Sequence, residues 1–276
     1  MKNIHIFHTL SICLQIAFLK AEPLAGGPVR IAKTNEFQSV VSIGKKHGGP
    51  NLQLNQLCTG TVITKRHVLA TARCLENKNA NDLEVFGGSA NISQCTKYSV
   101  MGWMNYNDFI FHDKRRAFEQ PDYNIAIIML SEPVDMVKTK PALLASQNIG
   151  KYYSQTASTA GWGTTVHELN PEMMHTANLL ILSKSECVDA TVNVTRRKEA
   201  ILRDKIICTL IPPVLSEVDA GGPLLYRNEI LIAINMHFPF DYQWLLGLRV
   251  NFHISLSRYI DFIRAITSGE TLTMAP

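Results

Sequence analysis

Glu217-Val218-Asp219-Ala220-Gly221-Gly222-Pro223-Leu224-Leu225 is the stretch on which the reading of this chain turns. An acidic residue, a small one, two glycines and a proline lead into an apolar run. Taken alone, Gly-Gly-Pro is a type II turn that feeds a buried strand. Two other stretches decide whether it is more than that. One is Cys58-Thr59-Gly60-Thr61-Val62-Ile63-Thr64-Lys65-Arg66-His67-Val68-Leu69-Ala70-Thr71-Ala72-Arg73-Cys74, and the other is Pro121-Asp122-Tyr123-Asn124-Ile125-Ala126-Ile127-Ile128-Met129-Leu130.

Around these stretches the apolar segments are short and strand-like. Val40-Val41-Ser42-Ile43, Ala177 to Leu182 and Glu229 to Ile234 are clear examples. Many short strands followed by one late helix indicate an all-β barrel or sandwich. The helix is expected within Leu256–Ile266, where Tyr259, Ile260, Phe262, Ile263 and Ile266 form a stripe at helical spacing, read as core packing. Met1 to Ala21 reads as a secretory leader, with an apolar run from Ile4 to Leu19 that is too polar and too short to span a membrane. Discounting Lys2 and Lys20, 25 basic side chains face 23 acidic ones, a balance that argues against a nucleic-acid partner. The remaining roughly 255 residues are rich enough in apolar side chains to bury a large core. No repeat, low-complexity tract or charge run interrupts them.

The three quoted stretches together resemble trypsin-like serine proteases. That family reads G-D-S-G-G-P around its nucleophile, W-V-L-T-A-A-H-C around its general base and D-N-D-I-A-L-L-K-L around its orienting aspartate. Here the serine position is Ala220, the histidine position Arg73 and the aspartate position Asn124. A methyl cannot attack a carbonyl. A guanidinium with a pKa above about 12 cannot accept a hydroxyl proton. An amide carries no charge to steady an imidazolium. Each site has an ordinary reading by itself, Asn124 as a turn residue and Arg73 as either a surface charge or a plug over the old cleft. Their order and separations nevertheless reproduce the family's. His67, where the family usually has tryptophan, is no substitute base, because six residues along a strand place it roughly 20 Å away. It is read as a packed or hydrogen-bonded histidine.

The resemblance extends over about Glu36 to Ile266. Gly161-Trp162-Gly163-Thr164 matches the opening of the family's second barrel, and Ser183-Lys184-Ser185-Glu186-Cys187 resembles its intermediate helix. It implies two six-stranded antiparallel β-barrels with a C-terminal helix, over 22–145 and 146–276 after a leader at 1–21. It also implies disulfides Cys58–Cys74 and Cys187–Cys208. Cys95 is left over, either buried and free or available to a partner.

Substrate recognition is altered at matching positions. Val214 stands at the base of the specificity pocket, Ser216 replaces the pocket cysteine and Val218 replaces the glycine of the oxyanion hole. A β-branched residue resists positive φ, so that donor is expected to be misdirected. Asn235-Met236-His237 replaces S-W-G, and Asn251 narrows the pocket further, which predicts a closed pocket. Asp219 remains, but no activation sequence stands in register: Leu24-Ala25-Gly26-Gly27 follows Pro23, and cleavage at Arg30 would leave Ile31 too close to Glu36. Asp219 is expected to be held in some other way or left solvated.

Asn91-Ile92-Ser93 and Asn193-Val194-Thr195 are candidate glycosylation sites in a secreted chain. Metal-ligand clusters and phosphate loops are absent from the sequence, so no metal or cofactor is expected. Among inactive members the pattern looks most like the scabies mite inactivated serine protease paralogues. That resemblance implies a secreted, non-catalytic protein that binds host complement components. The alternatives are an endogenous arthropod immune cofactor or reproductive pseudoprotease, although the chain has no room for a clip domain, and a weakly active endopeptidase with a relocated nucleophile such as Ser216.

Overall fold

The computed structural model describes residues 29–46, 55–111, 124–145, 148–165, 171–191, 201–236 and 250–275. The expected leader, His237, Asn193 and the Pro121–Tyr123 part of the third stretch lie outside them. The first half closes as expected. Strands β2 (Val40–Lys45), β3 (Gln56–Val62), β4 (His67–Thr71), β7 (Ile125–Leu130), β6 (Thr96–Asn105) and β5 (Leu83–Gly87) form a closed barrel in that order. Val41, Ile43, Val68, Val85 and Ile128 are fully buried within it. Their β-branched side chains suit a pleated, buried surface.

The second half is an eight-stranded sheet, with seven strands in the order β1 (Val29–Ile31), β10 (His175–Leu180), β9 (Thr156–Gly161), β12 (Pro223–Tyr226), β13 (Ile230–Asn235), β14 (Val250–Ser255) and β11 (Ile206–Leu210). Here the structure departs from a second closed six-stranded ladder. Among the described residues only the bridge Ile181–Thr209 spans the seam between β10 and β11. The reason is local: on one side the chain leaves β10 into α3 (Lys184–Ala190), started by the Ser183–Glu186 capping box, and on the other β10 faces the segment after β11, where Pro212-Pro213 have no N–H to donate. β1 precedes the first barrel in sequence yet pairs with β10. β8 (Leu143–Leu144) joins β13 in parallel.

Three contacts lock the halves together. Trp162, 1% exposed, donates its indole N–H to the Ala90 carbonyl at 3.0 Å. Tyr106, on α2 (Tyr106–Ile110), meets Tyr259 edge-on at 4.8 Å, just before α4 (Ile260–Ile266). The tail beyond α4 returns to the linker, where Leu144 N–H donates to the Thr273 carbonyl and Ala275 N–H to that of Leu144. Both expected disulfides are present, and Cys95 is free.

Candidate functional site

The three stretches that stand far apart in sequence meet in space. A four-residue helix, α1 (Ala72–Leu75), follows β4, and its Ala72 N–H donates to the Asn124 carbonyl at 3.0 Å. The Thr59 N–H donates to the Ala220 carbonyl at 3.1 Å. Gly221 has φ +81°, and a Cβ there would run into the Thr59 carbonyl and the backbone of Ala70 and Thr71. Only glycine tolerates both the dihedral and the close approach. The 217–222 loop is thus pressed against the strand that leads to Arg73.

The three side chains then part company. Arg73 points outward, 43% exposed, and pairs with Glu76 at 3.3 Å on the helix surface. Of its two readings, surface charge is the one seen. Asn124 is 5% exposed, and its Oδ1 is buried without a hydrogen-bond partner. Ala220 is fully buried in one apolar cluster with Ala72, Cys74 and Ala126. His67 lies at the opposite end of β4, paired with Met129, and its Nδ1 meets the Thr64 hydroxyl at 2.8 Å. Burial lowers its pKa, as a packed histidine requires.

The loop around Ala220 uses its own donors. Glu217–Asp219 is a turn of 3-10 helix capped by Ser216. The Ala220 N–H donates to the Glu217 carbonyl at 3.2 Å, and the Gly221 N–H to Asn235 at 2.9 Å. Val218 does not adopt positive φ, and its carbonyl accepts the Thr59 hydroxyl at 2.9 Å. Asp219 is completely buried, with its carboxylate accepting Ser216 N–H (2.8 Å), Ser216 Oγ–H (2.7 Å) and Gly163 N–H (3.2 Å). No cation pairs with it among the described residues. Burial pushes its pKa up to about 6, against the pull of those three donors. Any side chain on Gly163 would strike both carboxylate oxygens and Ser216 Oγ.

A polar chain runs from this loop through the second sheet. Asn235 Nδ2 donates to the Asp219 carbonyl (3.1 Å) and to Thr159 Oγ1 (2.9 Å), so its Oδ1 faces His253 Nδ1 at 3.0 Å. Nδ1 must therefore carry the proton. Nε2 then accepts from the Thr209 hydroxyl at 2.8 Å, which itself accepts from Asn251 Nδ2 at 3.4 Å. Asn251 also donates to the Pro213 carbonyl and accepts from Leu215 N–H, next to buried Val214. The chain has one consistent direction only if His253 is neutral, and burial holds its pKa down to about 3.

A family model described as Trypsin matches residues 29–263. The chain belongs to the trypsin-like serine protease family. Its relatives include venom serine protease 34 of Apis mellifera, 25% identical over 70% of this chain and 46% of that protein. Snake venom serine protease 3 of Protobothrops jerdonii is 24% identical over 96% of each. Trypsin delta of Drosophila erecta is 28% identical over 64% of this chain and 66% of that protein. The chain thus covers less than half of the honeybee protein. Two solved structures share the fold. The scabies mite inactivated protease paralogue S-I1 has a TM-score of 0.66 and 19% identity, over 88% of this chain and 98% of that one. The Vibrio cholerae VesB protease has a TM-score of 0.68 and 18% identity, over 87% and 67%.

For a trypsin-like protein this arrangement has a chemical meaning. An oxyanion hole needs backbone N–H groups aimed at open space. Here the Ala220 N–H is spent on a 3-10 turn. His253, Thr209 and Gly163 are the partners that sequence reasoning missed. Gly163 was visible in the Gly161–Thr164 motif, but its closeness to Asp219 exists only in three dimensions. Among the described residues no group of His, Cys, Asp and Glu could hold a metal ion.

Proposed function

We propose that this protein is a secreted pseudoprotease that acts by binding protein and not by hydrolysis, its target a component of a host proteolytic defence cascade such as complement. One observation carries the non-catalytic half of this reading. Where the family places a nucleophile within reach of a base, a fully buried methyl stands in an apolar cluster, and the side chain at the base position turns outward to Glu76. The hydrogen bonds of Asn251 to Pro213 and Leu215 support a filled specificity pocket. The relocated nucleophile fares poorly, because Ser216 is buried and its hydroxyl proton is committed to Asp219. Two disulfides, venom relatives and an Asx turn at half-buried Asn91, whose Oδ1 accepts Ser93 N–H, fit an extracellular glycoprotein. The complement target rests on the resemblance to the mite paralogues.

The test is to restore the family residues together, as Arg73→His, Asn124→Asp and Ala220→Ser. The triple variant should hydrolyse no arginine ester or amide above background, because the pocket and the loop donors remain as they are. Circular dichroism and the single Ala220→Ser variant serve as folding controls. Tryptic turnover by the folded triple variant would show that pocket and oxyanion hole are intact, and would overturn the reading.

A further inference from the structure

Away from the degenerate site, a cleft of about 310 Å³ opens where the two halves join. Its walls are the 35–39 segment entering the first barrel, the inter-barrel linker at 140–143 and the β12–β13 turn at Asn228 and Glu229. A smaller depression of about 20 Å³ continues it past Lys33, Gly88 and Lys138, sharing Asn35, Glu36 and Gln38. Arg73, Asn124 and Ala220 line neither.

The walls are built in advance. Lys140 N–H donates to the Gln38 carbonyl and Leu143 N–H to that of Glu229. Gln38 Nε2 donates to the carbonyls of Val137 and Lys138, holding that loop against the groove. A groove whose shape is fixed before binding loses less entropy when occupied.

Its charge leans basic. Lys33, Lys138 and Lys140 are exposed and form no ion pair among the described residues. Of the two acidic residues in the lining, Glu36 is already held by the Arg30 guanidinium, which lowers its pKa. That leaves Lys138 and Lys140, with Lys33 partly shared with Glu36, against Glu229 and the Asp135 carboxylate that accepts the Val137 N–H. Next to Lys138 the loop presents Met136 and Val137, which are 48% and 83% exposed. Pro141 and Leu143 add apolar floor to the cleft.

We propose that this groove is the docking surface of the protein, and that its occupant is an acidic, extended polypeptide segment of a partner protein, with carboxylates on the three lysines and an apolar side chain against Met136 and Val137. The inference rests on the reading of the chain as a binding protein and adds its face and the chemistry of its partner. Charge complementarity supplies attraction and orientation, and the apolar tip favours a peptide over a polysaccharide, which would leave Met136 and Val137 uncovered.

The probe is a short fluorescein-labelled peptide of Glu, Asp and Gly containing a Leu pair, titrated by fluorescence anisotropy with the full chain. A scrambled peptide with Lys in place of Glu and Asp, and a heparin oligosaccharide, are run beside it. The acidic peptide should bind, weaken with added salt as exposed charge pairs do, and lose at least tenfold in affinity when Lys33→Glu, Lys138→Glu and Lys140→Glu are combined. Val137→Ser should weaken it further without altering the salt dependence. The milder Lys→Gln set guards against misfolding. Unchanged affinity in both lysine variants, or heparin binding with the acidic peptide silent, would overturn the proposal. Hydrolysis of a protease substrate by the wild-type chain would instead overturn the non-catalytic reading while leaving the groove result standing, so the two failures are distinguishable.

Discussion

Asp219 and His253 are two buried titratable groups in one hydrogen-bonded chain, and they pull stability in opposite directions as pH changes. The folded-state pKa of Asp219 is raised to about 6, so its contribution favours the fold at low pH and is lost as pH rises towards about 6. The folded-state pKa of His253 is depressed to about 3, so the unfolded chain takes up the extra proton and the fold loses stability as pH falls below the ordinary histidine range. Between about pH 4 and 6 the two slopes oppose one another. Asp219→Asn removes one of them. Chemical denaturation across that window should therefore show stability rising more steeply with pH in the variant than in the wild type. Parallel curves would mean that Asp219 titrates in the ordinary carboxylate range. Asp219 also marks the limit of sequence reading at this scale. The missing activation sequence left two readings for Asp219, held in some other way or solvated; the structure shows the first, with donors, Ser216 and Gly163, that the sequence reading did not name. Gly163 lies 56 residues away, and nothing in its own neighbourhood announces the contact.

At the scale of elements, strands whose β-branched runs are buried on both faces were readable, as in Ile125–Leu130. β14 was harder. Val250–Ser255 alternates apolar and polar residues, a pattern that taken alone points Asn251, His253 and Ser255 at solvent. All six residues are buried, because the polar face meets Thr209, Asn235 and Pro213 and satisfies its groups there. The second half of the molecule was read as a closed barrel like the first, whereas among the described residues its seam is a single bridge, bounded by the start of α3 on one side and Pro212-Pro213 on the other. The Cys58–Cys74 bond ties β3 to α1, the element that carries Arg73, across 16 residues. Replacing both cysteines by serine should cost about 3 kcal/mol in chain entropy, read as a lower midpoint of denaturation. A change well under 1 kcal/mol would show that the β3–β4 ladder and the Ala72–Asn124 hydrogen bond hold α1 without it.

For the molecule as a whole, the fold is that of trypsin-like serine proteases, and the interior around Ala220 is apolar core. Ala220 packs among apolar side chains, the loop amides are taken up by loop carbonyls and by that of Asn235 on β13, and a continuous polar chain occupies the second half as far as Pro213 and Leu215. The most direct test of this account is to expose the purified wild-type chain to a fluorophosphonate probe at neutral pH, with trypsin alongside, and to locate any adduct by mass spectrometry. The account predicts no labelled serine when trypsin is fully labelled. Stoichiometric labelling of the native protein, at Ser216 or any other serine, would contradict it.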